Sequence, residues 1–125
     1  HNDPRSHRRS VYRFLVRSQQ QPFMTVLDCA DPSRMVARRD ETISPLQALA
    51  MLNNNFMTTM SSHFAHRVST ETPRLADQVR LAVTLALSRP PADEEVRLLT
   101  SYARRHGLPN TCRLIFNLNE FVFVE

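Results

Sequence analysis

A single glycine in 125 residues constrains the fold of this chain more than any other feature of its sequence. Tight β-hairpins need residues that adopt positive φ, chiefly glycine, so a sheet protein built from hairpins is disfavoured. The eight prolines lie mostly between apolar runs, where they end helices. We therefore predict an all-α fold: a compact bundle of about five to six short helices, with a long ordered loop before the central capped helix.

The length of the chain favours a single helical domain over residues 1–125, because this length is sufficient to bury a core. The chain begins at His1 rather than at methionine, and we expect it to be the C-terminal fragment of a larger multidomain protein. The sequence predicts no membrane span, since it lacks an apolar run of about 18 residues. No signal peptide is visible, and an export signal would lie upstream of the fragment.

All 16 basic residues are arginine, and the net charge is +4. A GC-rich genome that codes arginine in preference to lysine explains this composition. A selected arginine surface is the alternative, because arginine makes bidentate contacts with carboxylates and phosphates. The arginines are spread along the chain among nearly as many acids, so the charge pattern argues against binding to nucleic acid.

Ser44 is predicted to cap the central helix. Pro45 then occupies the first helical position, and Gln47 lies where its side chain reaches back to the cap. Helix initiation is sufficient to explain all three residues, which are therefore discounted as catalytic candidates. The helix runs to Leu52, where three successive asparagines beginning at Asn53 interrupt it, because asparagine is a poor helix former.

Helical periodicity recurs on both sides of this helix. Residues 7–20 have an apolar side and an arginine side and predict an amphipathic helix, whereas residues 33–43 are polar and irregular and predict the long loop. After the asparagines, apolar residues recur every four positions and predict a stripe that belongs to the core rather than to a cofactor site. The stripe comprises Phe56, Met60, Phe64 and Val68.

Cap residues and breakers predict the boundaries of the remaining helices. Thr72, before a proline, has the residue type of an N-cap, and two consecutive prolines end the helix that follows it. Acidic residues from Asp93 suit the positive end of the next helix, and Gly107 suits its left-handed C-terminal cap. Asn110 or Thr111 is then predicted to start the last helix.

Two candidate metal or redox motifs are weak. His63 and His66 are three residues apart on a predicted helix, but the sequence specifies no third ligand, so we predict no metal site. Cys29 and Cys112 are isolated, without a CxxC or CxxCH motif, which argues against structural zinc, a thioredoxin-like redox pair and covalent haem. Whether the two cysteines are free or paired stays open.

Some polar residues are not required by helix formation. They form one group between Asp28 and Asn53, before, in and after the predicted loop, and another beside Phe121 near the end of the chain. Either group suits a polar binding site or a structural clamp, and we favour the clamp, with Glu120 accepting hydrogen bonds from Arg9 or Arg89. No catalytic residue is predicted. The candidates are Asp28, Arg38, Arg39, Asn53, Asn117, Asn119 and Glu120.

Five motifs in a fixed order resemble the C-terminal part of a planctomycete family of secreted multidomain proteins, the domain-of-unknown-function family fifteen-fifty-three. They lie at residues 9–12, 27–28, 39–53, 85–95 and 117–121. The sequence departs from the family pattern at Val36, where a cysteine is frequent, and at Ala92, where a serine or threonine cap is usual. The second departure would move the cap of the acidic helix to Asp93.

The resemblance implies an exported protein, periplasmic or extracellular, whose upstream domains often include a cytochrome c-like domain. Any haem would belong to that domain, and this chain is expected to hold no cofactor of its own. Its expected partners are the upstream domains of the same polypeptide. The resemblance implies no reaction, because the family has no established activity.

Three classes of function remain. We favour a noncatalytic helical accessory or interaction domain of an exported multidomain bacterial protein. The alternative is part of a polysaccharide-acting or haem-linked enzyme in which Arg39, Gln47 or Glu120 contributes to a shared cleft. An arginine-rich nucleic-acid binder, which would use the arginines of residues 8–17, is the least favoured. Whether the chain belongs to an enzyme is thus left open, although this domain alone is predicted to be noncatalytic.

Overall fold

The computed structural model describes Asp3, Arg9, Tyr12, residues 22–27 and residues 45–122. These residues form seven helices and no strand, so the all-α prediction is confirmed. The predicted loop over residues 33–43, and most of the predicted helix over residues 7–20, lie outside them. The helices are α1 (Pro22–Val26), α2 (Pro45–Asn53), α3 (Asn55–Glu71), α4 (Leu75–Leu87), α5 (Asp93–His106), α6 (Leu108–Ile115) and α7 (Asn119–Val122).

The chain divides into two compact units, residues 1–50 and residues 51–125. The first contains α1 and the beginning of α2, and α1 starts at Pro22, whose fixed φ suits the first position of a helix. The second contains α3 to α7. A single domain over residues 1–125 stays a prediction. None of the described helices is long and apolar enough to cross a bilayer.

The core of the second unit lies where α3, α4 and α6 pack on one another. Its largest fully buried apolar side chains include Val68, Val83 and Ile115, one from each helix. A second cluster joins α4 to α5 through Val79, and it continues to Val96 and Ala103. The buried residues of α4 are Val79, Ala82 and Val83, which lie on one face of the helix.

The predicted stripe of α3 is displaced in the structure. Val68 is fully buried, but Phe56, Met60 and Phe64 are only partly buried. The small side chains of Ser61 and Ala65 lie in the helix interface instead, because they allow the backbone of a neighbouring helix to approach closely. The residues that α3 buries are Met57, Ser61, Ala65 and Val68.

The prediction that Thr72 caps α4 is wrong. α3 continues to Glu71, so Thr72 ends that helix as its C-terminal cap. α4 begins at Leu75, and its N-cap residue Arg74 makes no side-chain capping bond. The side-chain amide of Gln78 donates to the Thr72 carbonyl at 2.8 Å, which ties the first turn of α4 to the end of α3.

The predicted start of the last long helix is also wrong. α6 begins at Leu108, directly after Gly107, whose φ of +84° favours glycine. Pro109 lies in the first turn of α6. Backbone N–H groups in a first turn make no hydrogen bond within the helix, so the N–H that proline lacks is not needed there. The side chains of Asn110 and Thr111 bond backward, to the carbonyls of residues 106 and 107 at 2.7 and 3.1 Å, and so brace the helix start without forming it.

The asparagine interruption is confirmed. α2 ends at Asn53 and α3 begins at Asn55. Between them Asn54 is an N-cap in extended conformation, and its side-chain oxygen accepts from the Phe56 N–H at 2.8 Å. Pro45 is the first residue of α2, as predicted, whereas the cap residue Ser44 lies outside the described part of the chain.

Candidate functional site

The predicted polar residues are only partly described. Asp28, Arg38 and Arg39 lie outside the described residues, so a site in the predicted loop stays a prediction. The other four belong to three places in the fold. Asn53 is exposed at the end of α2, Asn117 is half-buried in the turn after α6, and Asn119 and Glu120 are exposed in α7.

Arg89 brings two carboxylates together. Its Nε donates to Glu120 at 2.7 Å, while Nη1 and Nη2 donate to the two oxygens of Glu95 at 2.9 and 3.2 Å. Nη1 also lies 3.3 Å from the carbonyl of Pro90. We call Arg89, Glu95 and Glu120 the Arg89 clamp. It joins the segment between α4 and α5 to the first turn of α5 and to α7.

Local sequence places each member of the clamp. Ser88 ends α4 in a left-handed conformation, with φ of 55°. Arg89 follows and precedes the first of two prolines, which disfavour helical backbone in the residue before them. Glu95 is the third residue of α5, and its carboxylate accepts from the Ala92 N–H at 3.4 Å. Ala92 therefore remains the N-cap position, and the expectation that the cap moves to Asp93 is wrong.

The electrostatics of the clamp follow from these contacts. The hydrogen bonds and charge of Arg89, with a smaller contribution from the Ala92 N–H, hold the pKa of Glu95 below its usual range, although desolvation opposes this effect. The hydrogen bonds to Glu95 and Glu120 raise the pKa of Arg89. All three guanidinium nitrogens already donate to carboxylates of this chain. The arrangement is therefore suited to joining helices rather than to binding an anionic ligand.

Sequence reasoning named Arg89 as a partner for Glu120, but it included Glu95 only as the end of the motif at residues 85–95 and not as a candidate site residue. The signal that could have found Glu95 is its place at the third position of a helix that begins just after the proline pair. A carboxylate there is directed back toward the helix start, where Arg89 lies.

We expect Glu95→Gln to reduce the stability of the folded protein at neutral pH. The difference in stability between wild type and variant should become smaller as the pH is lowered. The folded-state pKa of Glu95 lies below its unfolded value of about 4.3, so its contribution is present above that pH and lost as pH falls through the folded pKa. Urea midpoints of wild type and variant should therefore converge between pH 7 and pH 3. Glu94→Gln is the matched control, since Glu94 pairs with Arg97 on the exposed side of α5. An E95Q difference of equal size at pH 7 and pH 3 would contradict the assignment.

The described histidines and cysteine form no reactive cluster. Within the residues that the structure describes, no three His, Cys, Asp or Glu side chains are grouped so that they could hold a metal ion. His63 and His66 are exposed on α3. Cys112 is a fully buried free thiol, and burial raises its pKa to about 12. It is therefore not a nucleophile at neutral pH. Cys29 lies outside the described residues.

α2 has an unusual distribution of polar and apolar residues. Gln47 is 9% exposed, whereas Leu46 and Leu49 on the same helix are 61% and 54% exposed. The two leucines are three residues apart and share one face of the helix. We call Leu46 and Leu49 the α2 face. Sequence reasoning missed the leucines because helical periodicity assumes that apolar residues point inward.

The second unit is a bundle of helices in which the Arg89 clamp joins the segment after α4 to α5 and to α7. The model of the PSD1 family, described as a protein of unknown function (DUF1553), matches residues 1–103, and the chain belongs to this family. The motif at residues 117–121 lies beyond the matched range. Neither a curated protein nor a solved structure matches the chain. The planctomycete origin and the upstream cytochrome c-like domain stay predictions.

Proposed function

We propose that this chain is a noncatalytic interaction domain that packs, through the α2 face, on the upstream domains of an exported multidomain bacterial protein. The observation that carries this proposal is the exposure of Leu46 and Leu49 beside the buried Gln47. Export and the upstream domains come from the family resemblance.

The exposed leucines favour an interaction because covering them is energetically favourable. Burying one leucine side chain is worth about 1.5–3 kcal/mol relative to leaving it in water. Residues at spacings of three and four on one helix are also the anchors with which a helix docks into an apolar groove of a partner. The α2 face thus offers two large apolar anchors.

The charged residues of the second unit support a structural role. Besides the clamp, Arg67 pairs with Glu71, Arg80 with Asp93 and Arg97 with Glu94, at 3.6, 3.1 and 2.6 Å. Glu120, a candidate for the alternative shared enzyme cleft, is bound by Arg89. No observation on the described residues favours the enzyme or the nucleic-acid binder over the interaction domain.

Replacing both leucines of the α2 face with glutamine tests the proposal in the parent polypeptide. We expect α2 amides to be protected from hydrogen exchange in the wild-type parent and to lose that protection in L46Q/L49Q. The isolated chain should keep its helical content, because both residues are exposed and glutamine is a good helix former. Exchange is followed by mass spectrometry on peptides that cover residues 45–53.

Leu98→Gln is the matched control, since Leu98 is 60% exposed but lies on α5. It should leave α2 protection in the parent unchanged. If the α2 amides exchange equally fast in the wild-type parent and in the isolated chain, the α2 face is not a docking surface. If deleting the domain abolishes an activity of a parent whose remaining domains stay folded and assembled, the noncatalytic assignment is wrong.

A further inference from the structure

α7 is a short and exposed helix at the edge of the second unit. It has four residues, none of them buried, and Phe121 and Val122 are each 36% exposed. A single helical turn is not stable in water without tertiary packing. Its position therefore depends on packing against α4, on the turn that precedes it and on the Arg89 clamp.

One apolar attachment of α7 is an aromatic contact. The ring of Phe121 stacks on that of Phe116, with centroids 4.8 Å apart. Phe116 is 8% exposed, and its ring centroid also lies 5.3 Å from that of Phe64 of α3. Phe121 is thus the outer member of the row Phe64, Phe116, Phe121. Its removal would uncover Phe116 without removing a residue from the buried clusters.

The polar attachment is asymmetric. Arg89 holds Glu95 with two hydrogen bonds, and the Glu95 side chain is only 23% exposed. It holds Glu120 through Nε alone, and the Glu120 side chain is 57% exposed. If Glu120 moves away, Arg89 keeps its bidentate partner and is not left unpaired. The contact with Glu120 is therefore the one that breaks with the smaller rearrangement.

From these contacts we propose that α7 is a strap, which opens and closes while α3 to α6 stay folded, and that the Arg89–Glu120 ion pair is its latch. Opening breaks the Nε bond to Glu120 and the stacking of Phe121 on Phe116. It exposes one ring of the aromatic row to water and leaves the Arg89–Glu95 pair intact. This inference concerns a different part of the chain from the α2 face and does not depend on the proposed function.

Native-state hydrogen exchange of the full chain, measured by NMR, tests the strap. The amides of Phe121 and Val122 both donate to the Leu118 carbonyl, at 2.9 and 3.3 Å. We expect them to exchange at least about 10-fold faster than the amide of buried Val83, because a local opening costs less than global unfolding. Low concentrations of urea should leave the exchange rates of the α7 amides unchanged, because a local opening exposes little surface. They should accelerate the exchange of the Val83 amide, which requires global unfolding.

Glu120→Gln tests the latch. The variant keeps the size of the side chain but loses its charge, so α7 exchange should rise about 2- to 5-fold with no change at Val83. Raising the salt concentration to about 1 M should accelerate α7 exchange in the wild type and have little effect in E120Q, because salt screens exposed ion pairs. Glu94→Gln, which removes the exposed pair with Arg97, should leave α7 exchange unchanged.

Two results would overturn the inference. If Phe121 and Val122 exchange at the same rate and with the same urea dependence as Val83, α7 opens only when the whole unit unfolds, and the strap does not exist. If α7 opens locally but E120Q and salt leave its exchange rate unaltered, Arg89 and Glu120 do not form the latch.

Discussion

Replacing Ile115 with alanine is expected to lower the free energy of unfolding by about 2–5 kcal/mol. Ile115 is completely buried in α6 and belongs to the cluster that includes Val68 of α3 and Val83 of α4. Truncation removes three carbon atoms from the place where these helices meet. Because helices relax only partly around a lost side chain, a cavity adds to the lost hydrophobic transfer energy.

Urea unfolding followed by circular dichroism at 222 nm measures this loss. Leu98→Ala is the matched control, since it removes the same number of carbon atoms from a side chain that is 60% exposed. We expect the control to change stability by no more than about 0.5 kcal/mol. A loss of less than about 1 kcal/mol for I115A would mean that Ile115 is not part of the core that stabilises the second unit.

The presence of most helices could be predicted from the sequence, because helix-breaking residues and helical periodicity are local features of the chain. The asparagines around Asn54 are poor helix formers, and the two prolines after Arg89 cannot extend α4. The buried face of α4, which includes Val79 and Val83, follows from a period near 3.6 residues with polar residues on the opposite side.

Helix boundaries were less predictable because one residue type serves several purposes. Thr72 has the chemistry of an N-cap, but the preceding helix continues far enough to use it as a C-terminal cap. Asn110 and Thr111 are inside α6, where their side chains bond to the preceding carbonyls. A local pattern does not distinguish these uses, since the choice depends on where the neighbouring helix ends.

The candidate site was less predictable still. Arg89 and Glu120 are 31 residues apart in sequence. Their charges allow a pair, but only the packing of α7 on α4 brings them together. The exposure of Leu46 and Leu49 depends in the same way on tertiary packing, since helical periodicity identifies an apolar face without saying whether this chain covers it.

We expect the second unit to lose stability steeply in alkali because of Cys112. Burial raises the pKa of its thiol to about 12, whereas an unfolded cysteine ionises near 8.5. The protonated thiol thus contributes stability that is fully present below pH about 8.5 and is lost as pH rises toward 12. At pH 10 the unfolded state has already gained about 2 kcal/mol from ionisation that the folded state does not share.

Cys112→Ala removes this alkaline loss, and the comparison is made by urea unfolding between pH 7 and pH 10 with a phosphine reductant present. The variant should be less stable at pH 7, by about 1 kcal/mol, because alanine leaves a small cavity in a fully buried position. Its stability should then decline less with pH, so that the two curves approach and cross at about pH 9. Parallel curves over this range would show that the folded state accommodates the Cys112 thiolate, which contradicts the buried position of the thiol.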